Sequence, residues 1–382
     1  MNDFSKELVS FVRDQYGTKG AIPLHAPCFD GKEKEYLLDV IDSTFVSTVG
    51  ECVTRFETKV AEYTGAKYAV AVVNGTSALH VALIVAGVQS NDEVITQSLT
   101  FVATCNAIRY CGAEPVFVDV DRCTLGMSPD SLESFLGCYA EIRDDGLCWN
   151  KKTGRVIKAC VPMHNLGHPV KLVELKKICH KYNIQLVEDS AESLGSFYNG
   201  THTGRSGLLS IVSFNGNKII TTGGGGMVIT DNKEIYEKVR HLTTTAKIDH
   251  PWLYMHDELG FNYRMPNLNA ALGCAQMEQL PNYVKRKRAL AQRYSDWFSN
   301  KEYSFIHEPE NSKSNYWINS FLTNNRSERD QLLKYTNNNK VMTRPSWTPM
   351  HTLDMFKNNQ KYNLKNTEWL EDRLICIPSS VI

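Results

Sequence analysis

The sequence has no excess of charge of either sign. Among its 382 residues, 42 are Lys or Arg and 42 are Asp or Glu, so the formal net charge is zero. A broad basic face that binds nucleic acid or an anionic membrane would leave a positive balance. A disordered chain would hold fewer apolar residues than the 42% present here. We therefore expect a folded protein that acts on small molecules, with no nucleic-acid or membrane partner.

A long apolar run is also absent. The most apolar stretch, residues 68–88, is interrupted by Asn74, Gly75, Thr76, Ser77 and His80. A membrane-spanning helix needs about 20 consecutive apolar residues, which this stretch does not provide. The N-terminus carries charges where a signal peptide needs an apolar core. These absences predict a cytoplasmic protein.

The cysteines lack the spacing of a structural or metal-binding framework. There are eleven, an odd number, and no two stand in a C-x-x-C motif. We expect reduced thiols that fill space. His164 and His168 have the spacing of metal ligands on a helix, but Gly167 and Pro169 argue against a helix there. We therefore expect no metal site.

Short apolar runs alternate with helical patterns through the first two-thirds of the chain. Strands are predicted at 68–73, 93–96, 115–120, 156–162, 184–188, 209–214 and 227–230. Such alternation indicates βαβ units, hence an α/β fold with a mainly parallel mixed sheet flanked by helices. The chain becomes more polar and aromatic near residue 245. We therefore predict a large domain over residues 1–245 and a smaller α+β domain over residues 246–382, with a surface insertion at 137–155.

The polar group after the first predicted strand is a candidate anion site. Ligands of open parallel sheets bind at the carboxyl ends of the strands. Gly75 allows a close turn there, Thr76 and Ser77 offer hydroxyls, and the helix predicted over residues 78–86 offers free N–H groups. The alternative is that these residues only cap the helix.

Asp189 follows the apolar strand at 184–188. Burying a carboxylate there is costly unless it meets a cation or hydrogen-bond donors. Asp189 is therefore a candidate counter-ion for a protonated heterocycle, and the alternative is a carboxylate that caps a loop. Glu192 stands three residues further on and by itself makes a weak case for a metal.

Lys218 lies between the strand that ends at Ser213 and Phe214 and the glycine run 223–226. A solvated surface charge is the usual role of a lysine. The small neighbours of Lys218 would also allow it to be enclosed, and a desolvated lysine forms Schiff bases readily. A phosphate cradle, an acid and an amine in this order are what pyridoxal phosphate requires.

These residues stand in motifs that resemble those of the DegT/DnrJ/EryC1/StrS sugar aminotransferases, which have the fold-type-I architecture of pyridoxal-phosphate enzymes. The resemblance covers nearly the whole chain, from about Ile22 to Ser380. The blocks that carry it are 56–57, 63–70, 74–79, 100–104, 188–192, 213–218 and 260–265.

The resemblance assigns a role to each residue of the predicted centre. Lys218 would hold the cofactor as a Schiff base and then move protons. Asp189 would pair with the protonated pyridine nitrogen, and Phe101 would stack on the ring. Glu192 would lie near the ring hydroxyl or the substrate.

The resemblance also implies how the phosphate is held. Gly75, Thr76, Ser77 and Ser213 would bind it, together with Asn262 from a second subunit. It therefore implies a homodimer with a shared active site.

The C-terminal third points to a substrate subgroup. Residues 342–351 resemble a block of enzymes that aminate UDP-linked 4-keto-6-deoxy-N-acetylhexosamines, of the legionaminic acid and bacillosamine type. Arg344 and His351 are then candidate substrate ligands; a surface salt bridge for Arg344 and a structural role for His351 are the alternatives. The sequence departs from many relatives at Ser190, often alanine, and at 223–226, where many have an acid.

The function implied is transfer of an amino group from glutamate to carbon 4 of a nucleotide-linked keto sugar, for a surface polysaccharide such as an O antigen or another glycan. GDP- or dTDP-linked sugars and amination at carbon 3 remain open. A dehydratase branch of the family has histidine in place of the lysine, so Lys218 argues against that reaction. A non-catalytic protein of this fold is the remaining alternative.

Overall fold

The central feature of the fold is a seven-stranded sheet, seen in a computed structural model that describes residues 3–382. Its strands are β1 (Tyr68–Val72), β2 (Glu93–Gln97), β3 (Glu114–Val118), β4 (Ile157–Val161), β5 (Gln185–Asp189), β6 (Leu209–Ser213) and β7 (Gly226–Thr230). They are ordered β1-β7-β6-β5-β4-β2-β3. Strand β7 runs antiparallel to β1 and β6, and the other paired strands of this sheet are parallel. The predicted mainly parallel α/β sheet is confirmed.

The antiparallel strand β7 brings the ends of β1 and β6 to one place. Gly226 pairs with Val72 on one side and with Ser213 on the other. A Cβ atom on Gly226 would lie 2.4 Å from the carbonyl oxygen of Asn74, so only glycine fits this crossing. The carboxyl ends of β1, β5 and β6 thus meet at the same edge of the sheet.

Helices cover the sheet and extend beyond it. They are α1 (Asp3–Tyr16), α2 (Glu33–Ser43), α3 (Glu51–Thr64), α4 (Gly75–Val85), α5 (Val102–Tyr110), α6 (Pro129–Tyr139), α7 (Leu172–Lys181), α8 (Lys233–Thr243), α9 (Asn267–Phe298), α10 (Arg326–Asn338) and α11 (Lys365–Glu371). Short 3₁₀ turns lie at Asn165–Gly167 and Met350–Thr352. Within residues 3–382, no helix has the length and apolar character needed to cross a membrane.

A second, four-stranded sheet forms in the C-terminal third. Its strands are β8 (Ser304–Phe305), β9 (Asn319–Leu322), β10 (Arg344–Pro345) and β11 (Leu374–Ile377), all antiparallel, in the order β8-β9-β11-β10. Leu8 and Val12 of α1 are buried in the same apolar cluster as Phe298 and Phe321. The N-terminal helix therefore packs with the C-terminal part of the chain, although the sequence analysis grouped it with residues 1–245. The division at residue 245 stays a prediction.

Residues 137–155, expected to be a surface insertion, contain an antiparallel hairpin of Ala140–Ile142 and Cys148–Asn150. Asn150 at its end is fully buried and donates hydrogen bonds to Glu93 at 2.7 Å and to Gln360 at 2.8 Å. The hairpin tip is exposed, but its base is tied to the start of β2.

Candidate active site

The turn between β1 and α4 has backbone N–H groups that could hold an anion. Asn74 is the N-cap of α4, and its side chain accepts a hydrogen bond from the Ser77 N–H at 2.7 Å. Gly75 and Thr76 occupy the first turn of α4, where N–H groups have no partner within the helix. A Cβ atom on Gly75 would lie 3.0 Å from Cβ of Ser213, so Ser213 lies directly beside this turn. Helix α4 thus starts three residues before the predicted 78.

Asp189 is the last residue of β5 and is buried. One carboxylate oxygen accepts a hydrogen bond from Thr104 Oγ1 at 2.7 Å, and the other accepts one from the Ala191 N–H at 3.2 Å. Burial raises the pKa of Asp189, although both hydrogen bonds and the charge of Lys218 act in the opposite direction. The carboxylate is therefore positioned by donors, and within residues 3–382 it has no salt bridge that would offset its desolvation.

Glu188, the residue before Asp189, carries a second buried carboxylate, and its role is structural. It is fully buried and accepts hydrogen bonds from the N–H groups of Gly204, Ser206 and Gly207 at 2.6–2.7 Å. His164 Nε2 lies 3.3 Å from it. Burial acts to raise the pKa of Glu188, but His164 and the backbone donors outweigh it and lower the pKa. Glu188 therefore braces the loop after β5, and His164 is engaged with it rather than available to a metal.

Lys218 is largely enclosed, with a side chain only 12% exposed. Its Nζ is 3.3 Å from Oε1 of Glu192 and 4.0 Å from the centre of the Trp317 ring. Trp317 is buried, and its Nε1 donates to the carbonyl oxygen of Asn217 at 2.7 Å. The indole thus lies against the amine and shields it from water.

Glu192 is fully enclosed beside that amine. Its second carboxylate oxygen accepts a hydrogen bond from the Leu166 N–H at 2.8 Å. Burial raises the pKa of Glu192 to about 7, against the lowering effect of Lys218. The carboxyl therefore gains and loses its proton near neutral pH, at hydrogen-bond distance from Lys218.

Phe101 is the N-cap residue of α5. Its side chain is 46% exposed, so one face is open to a ligand. Its ring centre lies 5.3 Å from that of Trp347, which in turn stacks at 6.4 Å on Trp317. The rings of Phe101, Trp347 and Trp317 thus form a continuous aromatic wall that leads from the exposed Phe101 to Lys218.

Three other predicted site residues, Asn262, Arg344 and His351, are not brought together with Lys218 and Asp189. Asn262 is exposed, on a segment held along β1 because Val73 N–H donates to Tyr263 O at 2.9 Å. Arg344 is exposed in β10. His351 is buried, with Nδ1 2.7 Å from Ser98 Oγ and Nε2 3.7 Å from Glu368, so its geometry matches the structural alternative.

Sequence reasoning missed two residues that shape the centre. Thr104 orients Asp189, and Trp317 covers Lys218. Thr104 lies in a block that the resemblance had singled out, within the first turn of α5. Trp317 gave a weaker signal, an aromatic pair with Tyr316 about 100 residues from Lys218 in sequence.

Pyridoxal phosphate fits these residues. The first turn of α4 and Ser213 offer donors to a phosphate. Asp189 is a buried carboxylate whose raised pKa a protonated pyridine nitrogen would lower. Lys218 offers an enclosed amine and Phe101 an open aromatic face. The fold and the site together define a pyridoxal-phosphate enzyme of the α/β class.

Comparison with known proteins leads to the same class. Residues 27–381 match the profile of the DegT/DnrJ/EryC1/StrS aminotransferase family. GDP-perosamine synthase of Escherichia coli O157:H7 is 38% identical over 344 residues, which cover 89% of this chain and 88% of that protein. The putative pyridoxal phosphate-dependent aminotransferase EpsN of Bacillus subtilis (strain 168) is 36% identical, with 94% and 90% covered. The aminotransferase TlmJ of Streptoalloteichus hindustanus superposes with a TM-score of 0.85 at 27% identity, covering 94% of each chain.

The chain belongs to the DegT/DnrJ/EryC1/StrS aminotransferase family. The prediction of an aminotransferase with pyridoxal phosphate as its cofactor is thereby confirmed.

Proposed function

We propose that this enzyme transfers an amino group from glutamate to carbon 4 of GDP-linked 4-keto-6-deoxymannose. The observation that carries the proposal is the 38% identity, over 89% of the chain, to a GDP-perosamine synthase. A second protein of that name, from Vibrio cholerae, is 36% identical over 88% of the chain. Perosamine carries its amino group on carbon 4 of a 6-deoxy sugar, so a 4-keto sugar is its precursor. These relatives favour the GDP-linked alternative over the UDP-linked substrate expected from residues 342–351.

The residues around Lys218 support transamination. Pyridoxal phosphate, when bound, supplies an electron sink for the electron pair left when a proton leaves the amino donor. Asp189 stabilises positive charge at the ring nitrogen. Lys218 Nζ would take the proton from the α-carbon of the amino donor, and it would supply a proton to the carbon that receives the amino group when the keto sugar is aminated.

Glu192 and Trp317 prepare that amine for its task. Glu192 orients Lys218 by the 3.3 Å contact and, with a pKa of about 7, can accept or return its proton. Trp317 lies over Nζ and keeps water from competing for the proton. The proposed proton transfers thus depend on three side chains that are separated in sequence, those of Lys218, Glu192 and Trp317.

We also propose that the enzyme works as a homodimer in the cytoplasm. Two exposed apolar groups flank the segment of Asn262: Phe45 and Val49 before α3, and Trp252, Tyr254 and Leu259 after α8. Val49 is 82% exposed and Leu259 is 85% exposed, which is costly in water unless a second subunit covers them. All eleven cysteines are unpaired, which supports a reducing compartment.

The proposed reaction can be tested with purified enzyme, glutamate and three keto sugars linked to GDP, UDP and dTDP. We expect kcat/KM for the GDP-linked sugar to exceed the others by about tenfold or more, since discrimination rests on several contacts. The product should carry nitrogen at carbon 4 by NMR. Lys218→Ala should abolish turnover, whereas Lys238→Ala, at an exposed lysine paired with Glu258, should not. A preference for the UDP-linked sugar would reject the proposed nucleotide, and amine-free product would reject transamination.

A further inference from the structure

The segment before α2 lies beside Trp317 of the aromatic wall. It is fixed on both sides of His25. Ile22 forms a bridge with Val341. The Ser379 N–H donates to Leu24 O at 2.7 Å, and the Ala26 N–H donates to Ser380 Oγ at 2.8 Å. The backbone around His25 is therefore held by the C-terminal part of the chain, and the place of its side chain is well determined.

The imidazole of His25 has hydrogen-bonding capacity that the protein does not use. Both ring nitrogens are buried, and within residues 3–382 neither has a hydrogen-bond partner. The ring centre lies 6.4 Å from that of Trp317, the indole that covers Lys218. Buried polar groups are almost always paired, so two free nitrogens beside a catalytic amine require an explanation.

The ring is neutral at physiological pH. Burial lowers the pKa of His25 well below its ordinary value, and the charges of Lys287 and Lys218 lower it further. A neutral imidazole carries one donor and one acceptor. Such a pair suits a hydroxyl, which both donates and accepts, better than a carboxylate, which only accepts.

Two neighbours on the same aromatic wall show the same feature. Ser346 Oγ and Trp347 Nε1 are buried and have no hydrogen-bond partner in the described part of the chain. The Trp347 ring stacks on Trp317 at an angle of 23°. Unused polar atoms therefore surround Trp317 from two separate segments, residue 25 and residues 346–347.

We propose that His25 is a substrate-recognition residue that hydrogen-bonds a ring hydroxyl of the sugar, with Ser346 and Trp347 as further contacts in the same subsite. This inference rests on the proposed keto-sugar substrate. It assigns to the N-terminal segment a part in choosing the amino acceptor and no part in binding the amino donor.

The test separates the two half-reactions by following the absorbance of the holoenzyme. His25→Phe removes both nitrogens and keeps a planar ring. We expect it to weaken binding of GDP-4-keto-6-deoxymannose in the second half-reaction by about tenfold or more. The half-reaction with glutamate should stay within about twofold of wild type. His25→Asn, which keeps a donor and an acceptor, should recover most of the loss.

His168→Phe is the matched control. His168 is also buried with two unpartnered nitrogens, but its ring packs edge-on against Tyr316 at 5.4 Å instead of facing Trp317. The His168→Phe variant should bind the sugar as wild type does. If His25→Phe does not fold, His25→Ala takes its place, and the same split between half-reactions decides.

Three results would overturn the inference: wild-type sugar binding in His25→Phe, or in His25→Ala where it takes the place of His25→Phe; equal loss in both half-reactions; or an equal effect of His168→Phe. Failure of the proposed function looks different, because wild-type enzyme itself would then not pass nitrogen from glutamate to the keto sugar.

Discussion

At the scale of single residues, the surroundings of Lys218 combine a buried acid with an aromatic cover. Glu192 and Trp317 both contact the amine, and neither is its neighbour in sequence. The acid has no exposed surface, so its charged form is stabilised by little besides Lys218 and one backbone N–H. Its protonation should therefore be linked to the stability of the protein.

Glu192→Gln should change the pH dependence of unfolding in the cofactor-free protein. The folded-state pKa of Glu192 is raised from 4.5 to about 7, so the folded state binds the proton more tightly than the unfolded state does. Stability from this group is fully present below pH 4.5 and is lost as the pH rises through 7. Wild type should thus lose about 1–3 kcal/mol relative to Glu192→Gln between these values. Denaturant unfolding across the pH range measures this difference.

Glu234→Gln is the control for that measurement. Glu234 lies exposed in the first turn of α8. The free energy of unfolding of Glu234→Gln should change with pH in parallel with that of wild type. A Glu192→Gln curve that is also parallel to wild type would show that the buried carboxyl does not titrate differently on unfolding.

At the scale of elements, the β1–α4 unit holds the predicted anion site. The apolar run Tyr68–Val72 forms β1. Helix α4 starts at Gly75, directly after its N-cap Asn74, with the N–H groups of its first turn at the sheet edge. The crossing at Gly226 lets β7 lie against this turn. The element therefore requires one capping residue and one glycine at defined places.

Asn74→Ala should weaken cofactor binding beyond its effect on stability. Loss of the cap costs about 1 kcal/mol and allows the first turn of α4 to fray, so its N–H groups no longer converge on the phosphate. We expect the dissociation constant of pyridoxal phosphate to rise about fivefold or more, measured by absorbance titration of the cofactor-free protein.

Asn232→Ala provides a comparison at a different helix. Asn232 caps α8 by accepting from the Ile235 N–H at 3.1 Å. It should lower stability by a similar amount and leave cofactor affinity unchanged. Equal effects of the two variants on cofactor affinity would mean that general destabilisation, rather than the turn itself, explains the result.

At the scale of the whole molecule, the exposed apolar groups and Asn262 lie outside the centre of their own chain. If Asn262 completes the site of a partner subunit, Lys218→Ala and Asn262→Ala should complement each other. A heterodimer then contains one site with both native residues. Random pairing of equal amounts should restore about a quarter of wild-type activity. Activity of the separately purified variants and of the refolded or co-expressed mixture measures this.

A mixture with no more activity than the sum of its components would show that each chain completes its own site. An active monomer in analytical ultracentrifugation would reject the dimer itself. Both outcomes leave the assignment of Lys218 intact, because that residue acts within its own chain in either arrangement.

The chain order of motifs was enough to predict the sheet class and the cofactor, and the roles of Gly75, Asp189 and Lys218 at the strand ends stay a prediction. That success has a physical reason, since the carboxyl ends of parallel strands necessarily share one edge and local patterns identify the strands. The start of α4 was placed too late because the capping role of Asn74 is set by its backbone conformation, which the pattern of apolar residues does not reveal.

Only the tertiary structure could bring Trp317 and Glu192 to Lys218, and His25 to Trp317. These contacts join the N-terminal segment, the loop after β5 and the C-terminal third, and no local period or spacing encodes such distant pairs. The structure likewise turned His351 toward Ser98 and left the nitrogens of His25 unpaired. Sequence by itself determined which chemistry is present, through residues beside strands. Packing of distant segments decided which side chains surround it, because burial and hydrogen-bond partners exist only once the chain has folded.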